Sequence, residues 1–206
     1  MGSTGYVLPV YKRIIDVVAA VLVTLFISPI LLLIAAAIKW TDRGSILHWQ
    51  TRVGLDGREF PFPKFRTMKA DAEALRPLLD SHNHHRKGPT FKMREDPRVT
   101  TVGRLLRRAS LDELPQLWCV MRGDMSLVGP RPPLPAEVVQ YSLHDMRRLS
   151  VTPGLTCLWQ VSGRADLPFT DQVRLDLEYI ETQSLWTDVK ILARTIPAVI
   201  SGKGAY

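Results

Sequence analysis

Apolar positions are unevenly spread along the chain. From Ile14 to Ile38 it reads IIDVVAAVLVTLFISPILLLIAAAI, a stretch in which Asp16 carries the only charge. About 20 apolar residues are enough to span a bilayer. The run is too long for a cleavable signal peptide, and no small-residue cleavage site follows it. Two details separate it from an ordinary span. Lys12 and Arg13 precede it and Lys39 and Arg43 follow it, so the cytoplasmic preference of basic residues points the same way at both ends. Ser28-Pro29 lies in the middle, where proline lacks an N–H, clashes with the preceding turn and drives the residue before it out of helical geometry. As helices, Ile14–Ser28 and Ile30–Ile38 would rise roughly 22 Å and 14 Å, each short of a hydrocarbon core of about 30 Å. The pattern predicts a re-entrant helix–break–helix over 14–38; a single span with a mild proline kink is the alternative. Asp16 stands within i,i+3 or i,i+4 reach of Lys12 and Arg13, and a charge at that depth needs a partner.

The rest of the chain is more polar. Ile46–Val53 and Arg58–Arg66 alternate apolar and polar residues around Asp56-Gly57, which predicts a β-hairpin. Pro61 and Pro63 make the second arm an edge or irregular strand. Ala70–Leu79 predicts a short helix and His82–Pro89 a polar loop, whose histidines lack the second ligand cluster of a metal site. Over Arg98–Ala109, Val102, Leu105, Leu106 and Ala109 share one face while Arg104, Arg107 and Arg108 occupy the other. Leu134–Leu149 and Leu185–Ile200 are further helices. The last, with Trp186, Lys190 and Arg194 beside aliphatic residues, suits a membrane surface or the protein core. The predicted class is α+β, mostly α, with a small antiparallel hairpin and interfacial amphipathic helices. The expected division is a lead over residues 1–13, the membrane helix over 14–38 and one further domain over 39–206.

Composition narrows the partners. The 206 residues carry a net charge of +7, which points to phosphates, anionic lipid headgroups or nucleic acid. Cys119 and Cys157 form neither a disulfide framework nor a metal pattern, and fit a reducing compartment.

The most informative string is Ser110–Leu117, SLDELPQL. Asp112 and Glu113 repel each other, and Arg104, Arg107, Arg108 and Arg122 crowd them. Ser110-x-x-Glu113 matches a capping box, and acidic residues suit a first helical turn. Equally, one carboxylate can attack phosphorus while the other holds Mg²⁺. In Gly123–Pro132, GDMSLVGPRP, glycine and proline fix a rigid turn that presents Arg131, a side chain suited to bidentate phosphate contact. Lys64 and Arg66 lie upstream, Arg164 ends Pro153–Arg164, and Asp176 and Asp188 follow in helical context. A site that handles a diphosphate needs cations, a hard-cation ligand and a nucleophile.

Taken together, Lys12-Arg13-x-x-Asp16, Ser28-Pro29, KFRTM at Lys64–Met68, Asp96–Leu117, Gly123–Pro132 and Pro153–Arg164 resemble the bacterial sugar transferase family, the monotopic polyprenyl-phosphate phosphoglycosyl transferases. The resemblance runs from about Tyr11 to Ser201. It implies a membrane helix broken at Ser28 and Pro29. It makes Asp112 the nucleophile that takes the phospho-sugar from a UDP-sugar and expels UMP, and Glu113 the Mg²⁺ ligand. Polyprenyl phosphate is the acceptor. Lys64, Arg107, Arg131 and Arg164 match its phosphate-binding positions, and Asp176 and Asp188 its supporting acidic ones. The implied setting is the bacterial inner membrane, with the catalytic part on the cytosolic face. The other partners are membrane lipids; a homodimer is left open and nucleic acid is not expected. Nearby cations and Mg²⁺ are expected to lower the pKa of the nucleophile. With about 13 residues before its membrane helix, the chain looks like the minimal catalytic form. The rival readings are a membrane-tethered module binding anionic lipid or nucleic acid, a polytopic transferase, which would need many apolar segments, and an adaptor whose acidic pair only caps a helix.

Overall fold

The computed structural model describes residues 5–69, 72, 75, 93, 96–202 and 204. The helix expected over Ala70–Leu79 and the loop His82–Pro89 lie outside these residues, apart from Ala72 and Leu75. Helix α1, Val10–Asp42, contains the whole apolar run. It is one helix rather than the expected pair, and it continues through Pro29. The reason is local. Pro29 has no N–H to give the Leu25 carbonyl one turn back, and the Ser28 hydroxyl donates to that carbonyl instead, at 2.8 Å. The helix is long and apolar enough to cross a membrane by length and composition.

Strands β1 (Leu47–Val53) and β2 (Glu59–Phe65) form the expected antiparallel hairpin, with Leu47 opposite Phe65 and Val53 opposite Glu59. Asp56 turns the corner at φ 55°. The two prolines do not disturb it. The Pro61 carbonyl accepts from Cys119 Sγ at 3.4 Å, so its backbone faces away from β1. Pro63, two residues on, faces the same way. Neither position owes β1 an N–H.

Helix α2, Thr101–Arg108, is shorter than Arg98–Ala109 because Thr100 caps it, its hydroxyl accepting from Gly103 N at 2.9 Å. Its buried face is Gly103 and Leu106 with Val102 beside them, while Leu105 is exposed. A 3₁₀ segment, Leu111–Gln116, leads into α3, Leu117–Arg122. Strand β3, Ser126–Val128, pairs in parallel with β4, Gly154–Thr156, a contact the residue pattern did not foretell. Between them the single helix expected over Leu134–Leu149 is two short ones, α4 (Pro135–Val138) and α5 (Leu143–Met146). Ser142 restarts the helix by a capping box with Asp145. Helices α6 (Phe169–Thr182) and α7 (Leu185–Ser201) complete the fold.

Helix α1 packs along one narrow stripe. Lys12, Asp16, Ala20, Ile34 and Ile38 are buried, at spacings that keep them on one side of the helix. Ala20 joins Phe60, Phe62, Leu117, Val120 and Met125, with Ile27 packed against them. Ile34 and Ile38 join Phe65 and Leu106. At the N-terminal end Lys12 pairs with Asp188 of α7, with Asp16 at 4.0 Å. Asp16 accepts from the Ser126 hydroxyl at 2.7 Å, and Arg13 donates to the Met121 carbonyl at 2.8 Å. Much of the rest of α1, including Leu22, Leu25, Phe26, Leu32 and Leu33, is exposed.

Candidate active site

A cleft of about 970 Å³ opens between the hairpin, the 3₁₀ segment, the turn after β3 and α7. Asp112 and Glu113 lie in it, on the 3₁₀ segment. The capping box suggested by Ser110-x-x-Glu113 does not form. Ser110 takes a left-handed conformation, φ 54°, and its side chain caps nothing. Its hydroxyl instead accepts from Arg164 Nη2 at 3.4 Å. Arg164 is also left-handed, φ 54°. Two touching residues in this sparsely populated region mark a locally strained backbone of the kind that gathers at functional sites.

Asp112 is buried and Glu113 partly so. Arg131 grips Glu113 with both terminal guanidinium nitrogens, Nη2 to Oε1 at 2.6 Å and Nη1 to Oε2 at 3.3 Å. Lys64 Nζ stands 3.5 Å from the same Oε1. Arg107 donates from Nε to Thr67 Oγ1 at 3.0 Å, which aims its guanidinium near Asp112. The structure therefore gathers Lys64, Arg107, Arg131 and Arg164 around the dyad. Asp176 and Asp188 are not part of that group. Asp176 is wholly buried and paired with Arg148 at 2.6 Å. Asp188 holds Lys12 and accepts from the Tyr179 hydroxyl at 2.8 Å. Both brace the fold behind the site. Ser28 and Pro29 are exposed on α1.

The electrostatics correct one expectation. Burial, then the neighbouring charge of Glu113, raise the Asp112 carboxyl above its ordinary pKa, against the pull of Lys64, Arg107 and Arg131. The expectation was for nearby cations and Mg²⁺ together to lower it; the protein's own cations do not outweigh the burial. Desolvation takes Lys64 down to about 8, while Arg131 is held above its ordinary value because pairing with Glu113 outweighs its burial.

Asp112 and Glu113 offer hard oxygen donors. Among the described residues no group of three or more His, Cys, Asp or Glu side chains forms a metal cage. That set fits Mg²⁺, which is commonly held by one or two carboxylates with water and substrate phosphate completing the octahedron.

Two cleft arginines escaped sequence reasoning. Arg52, buried on β1, donates from Nη1 to the Pro132 carbonyl at 3.1 Å and stacks over Phe62. It thereby fixes the turn that presents Arg131. An arginine at an inward position of an alternating strand was the available signal. Arg148 lies 5.7 Å from the ring centres of both Tyr141 and Phe169. Phe169 and Asp176, its partners from α6, lie 21 and 28 residues away, so no local pattern could have marked it.

Residues 7–202 match the profile of the family described as bacterial sugar transferase. The chain is 44% identical over 212 residues to the exopolysaccharide production protein ExoY of Rhizobium meliloti (strain 1021), covering 99% of this chain and 93% of that one. It is 43% identical over 195 residues to the galactosyl transferase CpsE of Streptococcus agalactiae serotype III (strain NEM316), covering 94% of this chain but 43% of that one. Against the UDP-glucose:undecaprenyl-phosphate glucose-1-phosphate transferase of Caulobacter vibrioides (strain ATCC 19089 / CIP 103742 / CB 15), identity is 44% over 205 residues, 95% of this chain and 72% of that one. The chain thus spans less than half of CpsE and nearly all of ExoY.

Proposed function

The chain belongs to the bacterial sugar transferase family, and on that premise we propose that it is a phosphoglycosyl transferase. It moves a sugar-1-phosphate from a UDP-sugar to undecaprenyl phosphate, releases UMP and serves surface polysaccharide assembly. The observation that carries this reading is a buried carboxylate beside a second one, in a cleft ringed by cations, in a protein with a helix long and apolar enough to cross a membrane.

In the first half-reaction an Asp112 carboxylate oxygen attacks the phosphorus that bears the sugar. The bond from phosphorus to the UMP oxygen breaks, and UMP leaves. In the second, an oxygen of the polyprenyl phosphate attacks the same phosphorus. The bond to Asp112 breaks and the carboxylate is restored. Burial suits this role, because a poorly solvated carboxylate is a stronger nucleophile once it is ionised. Lys64, Arg107 and Arg131, whose charges act on Asp112, would neutralise charge that builds on the transferred phosphoryl group and the leaving phosphate. Glu113, with the substrate's phosphate oxygens, would hold Mg²⁺, which when bound supplies further charge neutralisation there. Arg131 and Lys64 orient Glu113 for that task.

The same reading makes α1 re-entrant, with residues 39–206 on the cytosolic face of the bacterial inner membrane. Supporting this, α1 is fastened near both ends to one folded body: Lys12 and Arg13 at one end, Ile34 and Ile38 at the other. A helix held to one body at both ends is expected to keep those ends on one side of a bilayer. The exposed apolar surface between them is left for lipid.

UMP release from a panel of UDP-sugars with undecaprenyl phosphate, with and without Mg²⁺, tests the proposal. Intact mass spectrometry of the acceptor-free reaction should show a phospho-sugar adduct on Asp112. An Asp112→Asn protein that turns over at the parental rate would refute it.

A further inference from the structure

The cleft has two chemically distinct arms, and we infer that the apolar one, running along α7, seats the isoprenoid chain of the acceptor while Arg164 receives its phosphate. This rests on the proposed transferase reading and adds to it a site for the lipid.

One arm is cationic, with Lys64 and Arg131 at the dyad. The other is lined by Leu114, Leu127, Leu155, Leu192 and Val199. Leu114 directly follows Glu113 in the 3₁₀ segment, so this arm begins at the dyad. Leu127 and Leu155 line the cleft and also pack against the cluster that contains Ala20 and Ile27 of the membrane helix. Leu192 and Val199 close the arm from α7. They are two turns apart and fall on the same side of the helix as Val189, Ile196 and Ile200, all exposed. The apolar face of α7 therefore runs without a break from the outside of the protein into the cleft wall.

A water-soluble nucleotide sugar has no use for such a wall. A long hydrocarbon with an anionic head does, because its tail can stay in apolar surroundings from the bilayer up to the reacting phosphorus. The head also finds a partner. Arg164 lines the cleft and spends Nη2 on Ser110. Its Nη1 is buried and has no hydrogen-bond partner among the described residues. A buried guanidinium nitrogen left without an acceptor costs free energy, and a phosphate oxygen entering along the apolar arm would satisfy it.

The test uses the full chain in phosphatidylglycerol vesicles with a diazirine-tagged undecaprenyl phosphate. Photolabel is expected on the peptides that carry Leu155 and Leu192, suppressed by excess undecaprenyl phosphate and not by more phosphatidylglycerol. Label confined to the exposed face of α1, or lost equally to phosphatidylglycerol, overturns the inference. Kinetics give a second arm through the ratio of kcat/KM for undecaprenyl phosphate to that for a ten-carbon prenyl phosphate. That ratio is internal to each protein, so a reduced folded fraction cancels. It should fall at least tenfold in Leu192→Gln and in Val199→Ser; an unchanged ratio in both overturns the site. Specific labelling in a protein that transfers nothing from any UDP-sugar would sink the transferase reading while sustaining the lipid site.

Discussion

Gly154→Ala should damage both stability and activity, for a reason that can be worked through. A Cβ at position 154 would lie 2.0 Å from the backbone nitrogen of Gly129 and 2.5 Å from its oxygen. Backbone cannot step aside as a side-chain end can, so β3 and β4 must separate. Going from 2.0 Å to the 3.4 Å of ordinary contact means an opening of about 1.4 Å. The hydrogen bonds that hold this region are Ser126 N to Pro153 O at 2.8 Å, Gly154 N to Pro130 O at 2.9 Å and Gly129 N to Thr156 O at 3.0 Å. None survives such an opening in good geometry. At about 1 kcal/mol net for each bond, the loss is about 3 kcal/mol. For a chain of this size that lowers the melting temperature by roughly 6–12 °C. Arg131 lies two residues beyond Gly129, and its 2.6 Å contact with Glu113 must shift with the turn. A displacement near 1 Å at a reacting site costs on the order of 100-fold in rate. Thermal unfolding in detergent and UMP release measure the two effects. Gly163→Ala is the control, since its added Cβ would meet only the end of the Leu167 side chain, at 2.9 Å. A Gly154→Ala protein that melts within about 2 °C of the parent and keeps its activity would show that the close approach of Gly129 and Gly154 does not hold the turn.

Other outcomes follow from the same structure. Asp112→Asn should abolish UMP release without lowering the melting temperature, because the amide escapes the burial and Glu113 repulsion that disfavour the carboxylate; a drop of several degrees would instead mark Asp112 as structural. Burial lifts Asp176 to about 6 against the pull of Arg148. The folded protein then keeps this proton where the unfolded chain, with its pKa near 3.8, has lost it. Stability should fall as pH rises from about 4 to 6, and urea titrations of Asp176→Asn should lack that part of the slope. Ser28→Ala leaves the Leu25 carbonyl with neither an amide nor a hydroxyl donor, costing about 1–3 kcal/mol; an unchanged melting temperature in nanodiscs would show that the hydroxyl does not stand in for the missing amide.

The sequence makes some of this legible and hides the rest for physical reasons. The hairpin was readable because alternation and an Asp-Gly turn are local signals, and the pairing of Leu47 with Phe65 follows from them. The dyad and its four cations were found through strings of residues, and they do meet in one cleft. What failed depended on one atom or on distant partners. Pro29 should end a helix, but a single hydroxyl at position 28 repairs the lost bond. Ser110 matches a cap by spacing, yet its left-handed backbone turns the hydroxyl to Arg164. Asp176 and Asp188 look like site residues in the chain, but their partners, Arg148 and Lys12, lie 28 and 176 positions away. No periodicity within a window carries that information.

The ion pair between Lys12 and Asp188 also bears on how the protein is made. Translation supplies the lysine first and its partner 176 residues later. At about 5–20 residues per second, that is a wait of roughly 9–35 s. During it, the ammonium of a nascent apolar helix has Asp16, one turn away, as its provisional counter-ion. Seating this helix against the folded body is then one of the last events of biogenesis, completed when α7 arrives to take over the charge.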